Sequence, residues 1–153
     1  MTMVLETASP KATQAVAQHL AQALRPGDFV ALIGNLGAGK TCFVQGLATG
    51  LGVTGRVASP TFILMRAHPG PTALFHADAY RLATGDDLLD IGLEDWLASG
   101  VVALEWADQV PEALPADHLA VRIATAGDRR TLTFTAHGPR GHALLEHLRT
   151  CAS

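Results

Sequence analysis

The sequence predicts one layered α/β domain, with a mixed, largely parallel central sheet and helices on both faces. Three observations predict this fold. Apolar runs typical of buried strands alternate along the chain with segments of helical periodicity. A glycine-rich segment joins one such strand to the helix after it. The length of 153 residues suits a single domain (1–153) with a full core, and no internal repeat or linker divides it.

The N-terminal third is predicted to form a strand, a helix, a second strand and a second helix. Residues 2–6 suit a short edge strand. Ser9-Pro10 is typical of a helix start, and this helix ends at Arg25-Pro26-Gly27. The apolar run Asp28–Ile33 predicts a buried parallel strand, and the helix after it ends near Gly50.

The middle of the chain is predicted to hold a pair of strands, two short helices and a further buried strand. Residues 59–78 are interpreted as a hairpin-like pair of strands with a turn at 68–71. Short helices are predicted at 84–87 and 92–97, and the apolar run 101–105 predicts the buried strand.

The C-terminal third is predicted to form a loop, a hairpin and a helix. Residues 111–115 are interpreted as loop. Alternating residues in 118–124 and 130–135, joined at 126–128, predict a β-hairpin. Residues 139–149 predict an amphipathic helix.

The strongest functional signal lies between the second strand and its helix, where the chain fits the pattern G-x-x-x-x-G-K-[ST]. In this pattern the glycines let backbone N–H groups point at a phosphate, the lysine reaches the β- and γ-phosphates, and the threonine hydroxyl ligates Mg²⁺. The strand, loop and helix supply the context that the motif requires. We therefore predict a P-loop NTPase-like domain whose phosphate-binding residues are Gly34, Asn35, Leu36, Gly37, Ala38, Gly39, Lys40 and Thr41.

A P-loop site also needs an acidic side chain at the end of a neighbouring strand to hold Mg²⁺. Glu105 ends a clean apolar run, and Asp78 ends a run that His76 interrupts. Both carboxylates are predicted to serve the site, and His76 is interpreted as a partly buried strand residue. Thr61 follows the rigid Ser59-Pro60 bend, so it is a candidate switch residue that responds to the γ-phosphate.

The sequence also indicates the nucleotide. Asn35 is the only asparagine, so no N-K-x-D motif for guanine can exist, and no D-x-x-G follows the P-loop. ATP with Mg²⁺ is therefore the predicted ligand pair. The seven histidines show no paired spacing typical of zinc.

Composition bears on partners and location. A net charge of −3 disfavours direct binding of nucleic acid, which needs a basic face, so any RNA is expected to be held by a partner protein. Cys42 and Cys151 make no disulfide framework. Cys42 begins a helix, where a thiol pKa can fall, but we interpret it as a packed side chain. Since no signal peptide or spanning run is recognisable, we expect a cytoplasmic protein that makes no membrane contact.

Five separated motifs occur in the chain in the order Gly34–Thr41, Ser59–Phe62, His76–Leu82, Ile91–Asp95 and Leu104–Trp106. Together they resemble the TsaE (YjeE) family, bacterial ATPases required for the threonylcarbamoyladenosine modification of tRNA. The resemblance implies a partner subunit of the TsaB and TsaD proteins. TsaD places the threonylcarbamoyl group, which TsaC supplies as an adenylate, on tRNAs that read codons beginning with A. Contact with tRNA would therefore be indirect.

The resemblance also implies roles for single residues. Residues 34–42, which include Cys42, would cradle the phosphates, and Thr41 and Glu105 would hold Mg²⁺. Asp78 matches an acid tied to hydrolysis. The catalytic set implied in this way is Lys40, Asp78, Thr61 and Glu105.

Two further segments match without a full assignment, and three positions depart from the family pattern. Trp106 matches a functional neighbour without an assigned role, and residues 9–13 match the segment near the nucleotide base. Asn35 stands where an acid is usual, Cys42 where Thr or Ser is usual, and Ala79 where Leu is common. None of the three departures removes a phosphate or metal ligand.

Two other functions stay open at the level of sequence. A small-molecule P-loop kinase would need an arginine-bearing lid, and Arg122, Arg129 and Arg130 lie instead on the predicted hairpin. A nucleotide-gated adaptor would bind ATP without hydrolysing it, with Asn35 marking the lost activity.

Overall fold

The structure is a computed structural model that describes residues 1–34, 39–53, 65–80, 87, 89–90 and 92–152. Several predictions lie outside these residues. They concern the loop residues 35–38, the first strand of the predicted pair up to residue 64, the helix predicted to open at 84, and the switch candidate Thr61.

The described strands and helices follow one another in the predicted order. The strands are β1 (Thr2–Thr7), β2 (Phe29–Ile33), β3 (Met65–His68), β4 (Ala73–Asp78), β5 (Gly100–Glu105), β6 (His118–Ala126) and β7 (Arg129–His137). The helices are α1 (Pro10–Ala21), α2 (Lys40–Gly50), α3 (Leu93–Ser99) and α4 (Gly138–Ala152), with short 3-10 helices at Ala107–Gln109 and Pro111–Ala113.

All seven of these strands form one sheet in the order β1-β7-β6-β2-β5-β4-β3. The four central strands β6, β2, β5 and β4 are parallel, and the outer pairs β1–β7, β6–β7 and β3–β4 are antiparallel. Parallel strands need cover on both faces, and β5 is buried at every position. The predicted mixed α/β fold class is confirmed.

Helices cover both faces of the sheet. The first face carries α1, α2 and α4, whose apolar side chains share one core with alternate residues of the central strands. The second face carries α3 and the 3-10 helix Ala107–Gln109, with Trp96 and Leu93 packed on the other residues of β2, β4 and β5. The two apolar clusters therefore enclose the central parallel strands from both faces.

Local signals explain the main boundaries. Ser9 caps α1, because its side-chain Oγ accepts from Ala12 N at 3.1 Å, and Pro10 occupies the first position as predicted. The segment predicted as loop at 111–115 contains a short 3-10 helix, which Pro111 starts with its fixed φ. The hairpin strands are longer than predicted and meet at a two-residue turn of Gly127 and Asp128.

Helices α1 and α2 pack closely, and this packing positions the start of α2. A Cβ at Gly46 would collide with the Gln14 carbonyl and the Ala17 side chain, so only glycine fits there. Gln14 also donates from Nε2 to Gln45 Oε1 at 3.0 Å. The backbone of α2 is thereby fixed against α1.

A buried ion pair ties α4 to the start of β2. Arg140 donates from Nε to Asp28 Oδ1 at 2.7 Å and from an Nη atom to Asp28 Oδ2 at 2.8 Å. The same guanidinium contacts the Ala23 carbonyl, and Asp28 is nearly fully buried. Removing one partner of such a pair leaves a buried charge with fewer hydrogen bonds.

Replacing Arg140 with methionine should therefore destabilise the protein by about 2 kcal/mol, since Asp28 would keep only the N–H of Arg25 as a close donor. Urea unfolding followed by circular dichroism measures the change. Arg149→Met is the matched control, because Arg149 is exposed and its ion pair lies at the surface, with 3.9 Å between Arg149 Nη1 and Glu146 Oε2. Equal unfolding midpoints for the two variants would contradict the prediction.

Candidate functional site

The candidate site lies where the central parallel strands end and the chain leaves the sheet. In the parallel register Glu105 lies opposite both Leu32 of β2 and Asp78 of β4. Gly34 follows β2, and Lys40 begins α2. The carboxyl ends of parallel strands meet at one edge of a sheet, and this is the usual place for a ligand site in such folds.

Lys40 is the central cation of this site. Its side chain is only 4% exposed, and its Nζ donates to the Gly34 carbonyl at 2.8 Å. Burial lowers the pKa of Lys40, while the carboxylates of Glu105, Asp78 and Asp108 act in the opposite direction. The ammonium is therefore partly dehydrated and balanced by acids of the same site.

The glycine before Lys40 allows the loop to turn into the helix. Gly39 has a φ of 110°, a left-handed conformation that side chains disfavour, and its carbonyl accepts from Phe43 N at 3.0 Å. The free N–H groups and the positive dipole end of an 11-residue helix therefore face the same region as Lys40. This arrangement favours an anion at the start of α2.

Two nearly buried carboxylates lie side by side near Lys40. Asp78 is 6% and Glu105 is 3% exposed. Asp78 Oδ1 accepts from Tyr80 N at 2.8 Å. Burial raises the pKa of Asp78, the Tyr80 N–H lowers it, and the Glu105 carboxylate raises it further. The structure thus brings together Lys40, Asp78 and Glu105, which the sequence placed apart along the chain.

His76 contacts this site, although the sequence analysis interpreted it only as a strand residue. It is fully buried rather than partly buried, and its Nε2 forms a hydrogen bond with Glu105 Oε2. A signal was available in the sequence, because His76 and Asp78 are two residues apart on one strand and so point to the same face of the sheet. The pairing of β4 with β5 then places Glu105 within reach.

The Trp106 ring lies against the ammonium group of Lys40. Lys40 Nζ lies 3.6 Å from the centroid of the Trp106 ring, and the Tyr80 ring centroid lies 4.9 Å from it. Trp106 has a φ of 58°, which makes it the one non-glycine residue with a left-handed backbone in the described part of the chain. Bulky residues are held in this conformation mainly at functional sites. The contact with Lys40 places Trp106 at the candidate site, whereas the sequence analysis assigned it no role.

A small cavity borders the start of α2. Its volume is about 100 Å³, and its lining is formed by Ser9, Pro10, Thr13, Gly39, Cys42, Asp128 and Arg130. Cys42 Sγ donates to the Pro10 carbonyl at 3.2 Å, and burial raises the pKa of its thiol. The thiol is therefore not activated by the helix start, and the interpretation of Cys42 as a packed side chain holds.

The remaining predicted site residues divide into two groups. Thr41 is half-buried at the second position of α2. Five others lie outside the described residues and stay predictions: Asn35, Leu36, Gly37, Ala38 and Thr61. Within the described ranges no three His, Cys, Asp or Glu side chains are grouped as a metal-binding cluster. None of the described helices has the length and apolar character needed to cross a membrane.

A buried lysine at the helix start after β2 and two strand-end carboxylates, on a mixed and mostly parallel sheet, match the P-loop NTPase-like fold class that the sequence predicts. Comparison with known proteins narrows this class. A family model described as threonylcarbamoyl adenosine biosynthesis protein TsaE matches residues 7–132. The chain belongs to the TsaE family.

Individual relatives agree with this assignment. The tRNA threonylcarbamoyladenosine biosynthesis protein TsaE of Bacillus subtilis is 43% identical over 145 residues, which cover 93% of this chain and 90% of the relative. The protein of the same name from Streptomyces coelicolor is 45% identical over 133 residues, which cover 80% of this chain and 89% of that relative. A crystal structure of Bacillus subtilis YdiB matches with a TM-score of 0.87 and 36% identity, over 100% of this chain and 97% of that chain.

Proposed function

We propose that this protein is the ATP-binding and ATP-hydrolysing subunit of the machinery that forms threonylcarbamoyladenosine in tRNA, and that it acts with TsaB and TsaD. One observation carries the proposal of nucleotide chemistry: a buried lysine begins the helix after the glycine loop, beside two nearly buried carboxylates. The names of the relatives support the assignment to tRNA modification.

The triphosphate would lie at the start of α2. Lys40 would give its ammonium to the β- and γ-phosphates, and the N–H groups at the start of α2 would add hydrogen bonds. The partly dehydrated ammonium favours this role, because a cation that has already lost water binds an anion at a smaller cost. Gly39 would let the backbone approach the phosphates closely.

Residues at the same edge fit a magnesium ion. Mg²⁺ prefers oxygen ligands, and the Thr41 hydroxyl and the Glu105 carboxylate supply them. The ion, when bound, would neutralise charge on the β- and γ-phosphates. Asp78 would orient the attacking water and accept its proton, a role that suits a carboxylate whose pKa is raised by burial.

The cavity beside the start of α2 is the proposed place for the base. It adjoins Gly39, and Ser9, Pro10 and Thr13 belong to the segment that the family resemblance places near the base. Asp128 reaches the same cavity from the β6–β7 turn and Arg130 from β7. The two chain segments would together hold an adenine.

The proposed contact with tRNA is indirect. A net charge of −3 gives the chain no excess of cations to replace the counterions of a tRNA backbone. We therefore assign tRNA contact to the TsaB–TsaD partners and the reaction to the cytoplasm. Hydrolysis would then bias the contact with the partners between the ATP and ADP states.

The alternative of a small-molecule kinase gains no support from the hairpin arginines. Arg122 lies within β6, and Arg129 and Arg130 lie within β7, so all three belong to the paired sheet rather than to a closing lid. The adaptor alternative differs from our proposal only in hydrolysis, and the same measurement separates the two.

The test is phosphate release from ATP with Mg²⁺, measured for the protein alone, for the TsaB–TsaD pair alone and for the mixture. We expect slow release by the protein alone and clear stimulation in the mixture. The Lys40→Met variant in the same mixtures measures any contaminating ATPase.

Each other outcome selects a different function. ATP binding without phosphate release in any mixture would identify an adaptor. Transfer of the labelled phosphate to a metabolite instead of water would identify a kinase. Fast release that the partners do not change would contradict the partner-dependent part of the proposal.

A further inference from the structure

The two site carboxylates have different hydrogen-bond partners. Asp78 accepts a hydrogen bond from the backbone N–H of Tyr80 at 2.8 Å, a donor that belongs to its own turn. Glu105 Oε2 forms its hydrogen bond with Nε2 of His76, a residue on the neighbouring strand. A glutamate side chain has one more rotatable bond than an aspartate, so its carboxylate depends more on such a contact.

We propose that His76 is a positioning residue, which holds Glu105 Oε2 so that the carboxylate presents its other oxygen to the divalent cation of the bound nucleotide. This inference rests on the proposed function. It concerns a residue that touches neither phosphate nor metal and that acts through Glu105. Metal-ligating side chains are generally fixed by such hydrogen-bonding partners.

The register of the sheet explains how His76 reaches Glu105. His76 lies opposite Ala103 of β5, and Glu105 follows two residues later on the same face. Ala103 is fully buried and has only a methyl group, which leaves room above it for an imidazole ring. The ring can therefore cross to Glu105 without displacing a larger side chain of β5.

The two ring nitrogens of His76 differ in a way that supports a donor role. Nδ1 is buried and has no hydrogen-bond partner among the described residues, whereas Nε2 contacts Glu105. A buried N–H without a partner would lose its hydrogen bond to water. A proton on Nε2 avoids this cost and lets Nε2 donate to the carboxylate. Position 76 is thus a buried hydrogen-bond donor aimed at one acceptor.

Two substitutions separate this donor role from simple packing. In glutamine the amide nitrogen is three bonds from Cβ, as Nε2 is in histidine, whereas in asparagine it is two bonds away, as Nδ1 is. His76→Gln therefore keeps a donor near Glu105, and His76→Asn places its donor out of reach. Both variants bury a neutral amide, so they form a matched pair.

The measurement is the affinity for ADP by isothermal titration calorimetry, at saturating Mg²⁺ and in excess EDTA. We expect the gain in affinity from Mg²⁺ to fall about 10- to 100-fold in His76→Asn and to stay near the wild-type value in His76→Gln. The affinity in EDTA should be the same for all three proteins, because the phosphate site is unchanged. A folding defect would instead lower both affinities.

Two further variants complete the design. His68→Asn is the control, because His68 lies on the adjacent strand with its ring centroid 6.5 Å from that of His76, and it should leave the gain from Mg²⁺ unchanged. In a Glu105→Gln background His76→Asn should cause no additional loss, because His76 acts through that carboxylate.

If the wild type binds ADP normally and His76→Asn keeps the full gain in ADP affinity from Mg²⁺, the inference about His76 is overturned and the proposed function stands. An equal loss in His76→Gln and His76→Asn would overturn it as well, since packing would then be the cause. Failure of the wild type to bind ADP would overturn the proposed function instead, and this inference with it.

Discussion

Replacing Lys40 with methionine should weaken ADP binding by roughly 100- to 1,000-fold, because the loss of one preorganised donor from an anion site has an effect of this size. Lys40 is held against the Gly34 carbonyl and the Trp106 ring by the fold itself. Its cost of dehydration is therefore met during folding. Methionine has a similar length but no charge, so the phosphates would lose their main cation.

The substitution acts on the fold in two opposite directions. Burial lowers the pKa of Lys40, so a neutral side chain removes a cost of dehydration, but the buried carboxylates of Asp78 and Glu105 lose the cation that balances them. Calorimetric titration with ADP measures the loss of affinity, and circular dichroism measures the unfolding midpoint. Arg149→Met changes an exposed cation of α4 in the same way and should bind as the wild type does. Unchanged ADP affinity in Lys40→Met would place the phosphates elsewhere.

Neutralising Glu105 or Asp78 should lower partner-stimulated phosphate release by about a hundredfold or more, equivalent to roughly 2.7 kcal/mol of transition-state stabilisation. The two variants should differ in binding. Glu105→Gln should also lose the gain in ADP affinity from Mg²⁺, because Glu105 is the proposed ligand. Asp78→Asn should keep that gain and lose only turnover, because Asp78 is assigned to the water.

The chosen substitutions preserve the local contacts. The amide oxygen that Glu105→Gln introduces can still accept from His76, and the one that Asp78→Asn introduces can still accept from the Tyr80 N–H. Glu146→Gln, an exposed change on α4, is the control for the chemical substitution itself. If the two variants exchange behaviours, so that Asp78→Asn loses the Mg²⁺ effect, the assigned roles of the acids are reversed.

Periodicity predicted most elements of this fold because the signals are local. The apolar runs that end at Ile33 and Glu105 occur in the sequence as continuous stretches, and the helix start at Ser9-Pro10 has its own signature. Two acids at the ends of neighbouring parallel strands also follow from local patterns. Their approach to each other requires in addition that the two strands are neighbours in the sheet, as β4 and β5 are.

The contacts of His76 and Trp106 could not be predicted in the same way. His76 interrupts an apolar run, and its partner Glu105 is 29 residues further along the chain, so the hydrogen bond depends on the register between β4 and β5. The left-handed backbone of Trp106 has no signal in residue type, because tryptophan ordinarily avoids it. Register and strained turns are set by tertiary packing, which periodicity does not encode.

The order of strands has a consequence for synthesis of the chain. Strand β2, which carries the glycine loop, lies between β5 and β6, and β6 begins only at His118. A growing chain therefore exposes one unpaired side of β2 on the ribosome until most of the protein has been made. That side is an apolar edge able to pair with another nascent chain. Premature termination before the hairpin would thus yield an aggregation-prone fragment, although it would contain every proposed phosphate ligand.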